Sequence, residues 1–339
     1  MQTSRAVVSS PGANFHTVFP ALGTTVEVRS QGPADPDLVA HLQAEVERYE
    51  SAWSKFRPDS EVCQLNQAAG SNRWIPVSDA TRGLLLTSME LSRQTGMFFR
   101  PTIGALSQLW QVKPWLAQIA AGLTPKLPTA AEVEEARQAS ALDNLLFDGA
   151  SSFQLRRGAS IDLGGVAKGW IADALRDLMK AAGRQDVLVS IGSSSLAAAG
   201  SSPAQRPWKV GIAALTPKFA QATGSTGQAA GSTGQAVAGT ATLLDASLAT
   251  SGDNLQQLPT LWEGQKVHHL VDPSTGYPSQ SQVRQASVIA RNGVVAEILA
   301  STLVVTGDPG SLQRRLPQAD FHWMLVTDEE VTTSEGWPR

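Results

Sequence analysis

The richest group of chemistry-bearing residues runs from His268 to Gly307, reading HHLVDPSTGYP, then SQVRQASVIAR, then AEILASTLVVTG. Its first part sets an imidazole and a carboxylate, His269 and Asp272, beside a turn rich in Pro and Gly. Its last part sets Glu297 and Ser301 four residues apart, a spacing that puts both oxygens on one face of a helix. Two clusters of hard oxygen joined by one strand suggest Mg²⁺-assisted phosphate chemistry. A second block, SIDLGGVAKGW at 160–170, strengthens the suggestion. There Ala159 to Leu163 reads as a strand, Gly164-Gly165 as a tight turn, and Val166 to Ala182 as a helix closed by Gly183. A Gly-Gly turn opening a helix lets backbone groups approach a phosphate or a metal closely. The same pattern also marks turns that merely pack tightly.

These residues need a frame. Thr24 to Arg29 alternates as a strand, and Asp35-Pro36 opens a helix with Asp as N-cap and Pro at the first position. Leu38, Leu42, Val46, Tyr49 and Trp53 recur at helical spacing as core. A second helix follows Ser78-Asp79 and ends at Gly96. Pro114 to Pro128 reads as loop with a short helix, and Thr129 to Glu132 as a capping box. Further strands are expected at 143–148, 153–157, 187–192, 208–212, 266–272, 284–290 and 321–326. Residues 1–14 read as a disordered tail. A Gly-, Ser-, Thr- and Gln-rich stretch at 216–241, with GSTGQA repeated at 224–229 and 231–236, reads as a flexible insert within one domain spanning 15–339. Hairpins mixed with helices, without regular βαβ alternation, indicate an α+β fold.

Bulk properties narrow the function. The 339-residue chain carries a net charge of −3, which gives no reason to expect nucleic acid or an anionic membrane as partner. No apolar run approaches the roughly 20 residues that span a bilayer. The single Cys63 rules out an internal disulfide framework. The N-terminus shows neither an apolar leader core nor a lipidation cysteine. A cytoplasmic location is therefore expected, or an exported one if a leader has been trimmed.

Five segments, SKFRPDSEVCQLN (54–66), GMFFRPTIGALSQLW (96–110), IDLGGVAKGWIAD (161–173), ATSGD (249–253) and HLVDPSTGYP (269–278), occur in an order and spacing that resemble the FAD:protein FMN transferase (ApbE) family. The resemblance spans roughly residues 15–335. It implies a single-domain α+β fold, T-fold-related, of mixed sheets with packed helices. It also implies an Mg²⁺-dependent enzyme that takes FAD as substrate. In that chemistry a Ser or Thr hydroxyl of a client flavoprotein attacks the FMN-side phosphorus, AMP leaves, and FMN is left linked by a phosphoester. With water as the acceptor the same site would be an FAD pyrophosphatase. A catalytically degenerate member would only bind FAD.

Carried over by motif, the metal ligands are Glu297, Ser301 and the carbonyl of Gly165, where the family has Asp and Thr at the two side-chain positions. FAD contacts fall on Leu22, Phe56, Phe98, Phe99, Arg100, Asp162, Lys168, Ser251, Asp253 and Val271. Leu22 replaces a family Met, Arg100 replaces an Asp, and Ser193-Ser194-Ser195 replaces Gly-Gly-Asn. Arg100 is expected either at the FAD phosphates or as a solvated charge. His269 is the candidate general base, and Asp272 orients either it or the turn that follows. Ser251 and Asp253 read as a turn or as lining of the phosphate pocket. The family's acceptor motif is Ser or Thr followed by Gly-Ala after an upstream Asp. The GSTGQA copies lack the Asp and the Ala, so they read as plain loop.

Overall fold

The computed structural model describes residues 15–202, 207–214, 237–252, 258 and 264–339. Strands β1 (Phe15–Ala21) and β2 (Thr24–Ser30) form a hairpin and lead into α1 (Pro36–Trp53), capped by the Asp35 carboxylate. Helix α2 (Glu61–Gln67), strand β3 (Ile75–Pro76) and helix α3 (Asp79–Gln94) follow. Next come α4 (Gly104–Leu109), α5 (Val112–Ala120) and α6 (Ala130–Ala139), the last opened by a reciprocal capping box of Thr129 and Glu132. Strands β4 (Leu145–Phe147) and β5 (Ser152–Leu155) precede α7 (Ala167–Ala181), β6 (Val187–Ile191) and β7 (Ser195–Ala199). Beyond these lie β8 (Trp208–Ala213), β9 (Val237–Leu243), β10 (Ser247–Gly252) and β11 (Gln285–Ala290). The chain ends with α8 (Gly293–Thr306), α9 (Pro309–Arg315), β12 (Phe321–Val326) and β13 (Val331–Thr333).

Eight strands form one sheet in the order β1-β2-β6-β7-β10-β11-β12-β13, antiparallel at every ladder. Its central strands are buried on both faces, which explains why VLVSI, SLAAA and QASVIA read as continuous apolar or small-residue runs. On β6, Val187, Val189 and Ile191 join the core under α1 and α7, while Leu188 joins a second core with Trp208, Val210 and Ile212 of β8. The β8–β9 ribbon therefore covers one face, and α7 and α8 cover the other. Strand β8 alternates cleanly because only one of its sides is covered. Helix α8 is buried nearly all round, from Val294 to Val305, and lies over β10 and β11. Among the described residues no helix is long and apolar enough to cross a membrane.

The α+β expectation holds, and several element assignments need correction. Residues 237–241, expected inside the flexible insert, belong to β9. There Ala238 and Ala241 are small enough to pack beneath the ribbon, and β8 supplies the ladder. The tail at 1–14 and both GSTGQA copies lie outside the described residues. The strand expected at 266–272 is reduced to isolated bridges, including Val271 with Pro278, because that segment's hydrogen bonds go to its own turn. The strand expected at 159–163 is likewise irregular. Asn66 takes both backbone groups of Ile161, with Nδ2 donating to its carbonyl at 3.0 Å and Oδ1 accepting its N–H at 2.7 Å. Helix α5 starts before Pro114, which sits in its first turn, where the missing N–H costs nothing.

Candidate active site

The site begins where α7 and α8 cross. Gly169 and Gly293 face each other so closely that a β-carbon on either would run into the other's backbone. The first turn of α7 has no side-chain cap of its own, so its N–H groups need partners from elsewhere. Glu297, one turn along α8 from Gly293, supplies one: its Oε2 accepts the Gly169 N–H at 3.0 Å. Its Oε1 accepts from Ser195 Oγ at 2.6 Å and from Lys168 Nζ at 2.9 Å. Lys168 also reaches Ser195 Oγ at 3.2 Å, closing a triangle. The Glu297 side chain is 5% exposed and that of Lys168 30%.

The period of the strands aligns three serines on this face. Ser195 starts β7, while Ser247 and Ser251 lie four residues apart on β10. Ser251 Oγ meets Ser301 Oγ at 3.0 Å, and Ser247 Oγ donates to Asp173 Oδ1 at 2.6 Å. Asp173 Oδ2 accepts the Gly293 N–H at 2.6 Å, and Arg176 approaches Oδ1 at 3.0 Å. Burial nevertheless pushes the Asp173 carboxyl above its usual range, against the pull of Ser247, Arg176 and Gly293. This carboxylate fastens the start of α8 to α7 on the far side of the glycine crossing.

The Gly164-Gly165 turn lies exposed at the mouth of the site. Asp162 Oδ1 accepts the Gly164 N–H at 2.9 Å, and Asp162 Oδ2 pairs with Lys55 Nζ at 2.8 Å. Lys55 sits 5.5 Å from the centroid of the Phe56 ring, and Phe56 is 83% exposed. Such a ring contributes nothing to the core and is available for stacking. Phe99 is buried beneath Gly165, and Phe98 is half-buried beside it in sequence. Leu22 forms the β1–β2 turn with Gly23, both at positive φ, and its N–H is held by Glu50 Oε2 at 3.1 Å. Asp253 lies outside the described residues.

Arg100 is not the solvated charge that one expectation made it. Half-buried, it donates from Nε to the Met97 carbonyl at 3.0 Å and from Nη1 to the Ser140 carbonyl at 3.4 Å. Ser140 is the C-cap of α6, so the guanidinium stands at the negative end of that helix. Burial lowers its pKa and the nearby Arg137 adds to the effect, while Asp272 and Asp143 oppose it.

The two adjacent histidines differ in role. His268 is buried; its Nδ1 accepts the Leu270 N–H at 3.2 Å, so Nε2 carries the proton donated to the Ser279 carbonyl at 2.8 Å. That imidazole is a fixed neutral tautomer with a structural task. His269 is only half-buried. Asp272 orients the turn: its Oδ1 accepts the N–H of Ser274 at 2.8 Å and the Ser274 hydroxyl at 2.7 Å. Val271 bridges to Pro278, and Trp110 Nε1 donates to Gly276 at 2.8 Å, tying this loop to the 96–110 segment.

The ligand set expected for Mg²⁺ does not fit as arranged. Mg²⁺ requires near-octahedral oxygen geometry and keeps several waters. The Glu297 carboxylate is enclosed, already accepts three hydrogen bonds, and has an ammonium as counter-charge. Ser301 engages Ser251. Among the described residues no three His, Cys, Asp or Glu side chains group as a metal cage.

Sequence reasoning missed Lys55 and Asn66 as parts of the site and treated Ser195 only as a departure from a motif. Period-two placement of the serines on strands facing α8 was the signal that would have found Ser195.

Fold and site together define a single-domain α+β protein in which Lys168, Glu297 and Asp173 lie where two helices cross over an antiparallel sheet. The sequence model of the ApbE family matches residues 22–318, and the chain belongs to that family. It is 26% identical over 305 residues to the FAD:protein FMN transferase of Vibrio cholerae, covering 88% of this chain and 83% of the relative. It is 28% identical over 301 residues to the FAD:protein FMN transferase of Treponema pallidum, covering 86% and 77%. Among solved structures, the ApbE protein of Thermotoga maritima superposes with a TM-score of 0.77 at 25% identity, covering 95% of this chain and 97% of that one. The flavin transferase ApbE of Vibrio cholerae has the same fold, with a TM-score of 0.76 at 22% identity and coverage of 96% and 97%.

Proposed function

We propose that this protein is an FAD:protein FMN transferase. The observation that carries the reading is the linkage of the separate motifs by direct hydrogen bonds into one site. Asn66 binds Ile161, the Pro101 carbonyl accepts from Asp162, Lys55 pairs with Asp162, and Lys168 pairs with Glu297 on the helix whose Ser301 meets Ser251. Segments far apart in sequence thus form a continuous wall.

In this reading FAD is the substrate. The exposed Phe56 ring stacks on one of its ring systems, and the open Gly164-Gly165 turn with Lys55 and Lys168 faces its pyrophosphate. A client Ser or Thr hydroxyl attacks the FMN-side phosphorus and gives its proton to the His269 imidazole. A new P–O bond forms, the pyrophosphate P–O bond breaks, and AMP leaves with that electron pair. The protein's part is to position the reactants and stabilise charge. The resemblance also implies Mg²⁺, but with Glu297 already paired to Lys168 no step is assigned to the metal.

The test is chromatographic. The protein is incubated with FAD and MgCl₂, with and without a client flavoprotein domain carrying the acceptor Ser or Thr, and AMP and free FMN are quantified. Transfer predicts AMP that depends on client and exceeds free FMN. Equal AMP and FMN without client would establish hydrolysis instead, and FAD binding without AMP would establish a binding protein.

A further inference from the structure

We infer that Lys168 is a built-in cation of this site, and that a divalent metal reaches Glu297 only by displacing it. The ammonium lies 2.9 Å from Oε1, on the first turn of α7, whose own N–H of Gly169 binds the other oxygen. The positive end of the helix and the lysine thus act on the same carboxylate. The two helices are tied together here, since Asp173 Oδ2 accepts the Gly293 N–H at 2.6 Å beside the close approach of Gly169 and Gly293. The carboxylate cannot readily rotate, because Ser195 holds Oε1 at 2.6 Å. A carboxylate offers about four lone-pair directions, and three are taken here. An incoming dication would meet the Lys168 charge within a few ångströms, beside a carboxylate only 5% exposed, where like charges are screened less than in bulk water.

The length of Glu297 matters to this arrangement. Glu is one methylene longer than Asp, and that methylene lets a carboxylate rooted on α8 reach the backbone of α7. A shorter side chain would release Gly169 and Lys168 and leave an oxygen open.

Mn²⁺ is the probe, titrated into the full chain without FAD, with free Mn²⁺ followed by electron paramagnetic resonance. The result therefore stands apart from whether the protein transfers flavin. Lys168→Met is expected to bind Mn²⁺ at least tenfold more tightly than the unaltered protein, and Glu297→Asp to shift in the same direction. Ser195→Ala, which frees the carboxylate to turn but leaves the ammonium in place, is expected to raise affinity less than Lys168→Met does. Adding Glu297→Gln to Lys168→Met is expected to abolish the gain. Circular dichroism checks each fold, and Lys168→Gln replaces Lys168→Met if the latter does not fold. The inference is overturned if removing the ammonium leaves Mn²⁺ affinity unchanged or weaker, if neither form binds, or if tight binding survives the loss of the Glu297 charge.

Discussion

A carboxylate with only 5% of its side chain exposed must have its charge met inside the protein, and Glu297 meets it three times over. Phe56 is the opposite case, a large apolar ring left 83% in water with a lysine beside it. Phe56→Ala is expected to leave stability within about 0.5 kcal/mol but to weaken FAD binding by about 1–2 kcal/mol, the scale of one ring stacked on a base. Urea denaturation and fluorescence titration with FAD would check the two halves separately. Most of this chemistry was legible as residue types: Glu297, Ser301, Asp162 and Lys168 stand out by spacing and motif. Their partners were not. That Lys168 reaches Glu297, 129 positions away, depends on a helix crossing no local pattern encodes. Arg100 was illegible for the same reason, since the helix end it caps is 40 residues distant.

Helices α7 and α8 are held at backbone contact by two glycines, with Asp173 on one side of the crossing and Glu297 on the other. Gly169→Ala gains helix propensity, worth about 1 kcal/mol, yet puts a methyl group into the Gly293 carbonyl. Overpacking of this kind costs about 1–3 kcal/mol and shifts backbone. A net loss of stability is therefore expected, with a larger loss of activity because Glu297 would be drawn off Lys168. Equilibrium unfolding and FMN transfer measured on one preparation would show it; an increase in stability with activity intact would contradict the crossing described. At this scale the sequence was clearest where caps announce helices, as at Asp35-Pro36, Ser78 and Thr129. It was least clear for β7 and β10, whose Ala- and Ser-rich segments carry little of the alternation or branching of an ordinary strand, and for β9, which starts inside a Gly-, Ser-, Thr- and Gln-rich stretch. β7 and β10 are strands because a sheet covered on both faces, with α8 packed closely on one of them, favours small side chains there, while β9 is a strand because β8 supplies its ladder.

The whole molecule is a sheet with a job on each side. The β8–β9 ribbon seals one face with Trp208, Val210 and Ile212, while the helical face carries the serines, Lys168 and Glu297. Motif segments spread from Ser54 to Pro278 reach one wall because loops at the ends of these elements are tied together by Asn66, Pro101 and Trp110. Membership of the ApbE family rests on nearly the whole chain, from residue 22 to 318, so this architecture and the flavin reading belong together. The most direct test of that reading is intact-mass spectrometry of a client flavoprotein domain after incubation with this protein and FAD. The account predicts a client heavier by one phosphoester-linked FMN, absent when the acceptor Ser or Thr is replaced by Ala and absent with His269→Ala. A client of unchanged mass, under conditions where a related FAD:protein FMN transferase modifies it fully, would contradict it.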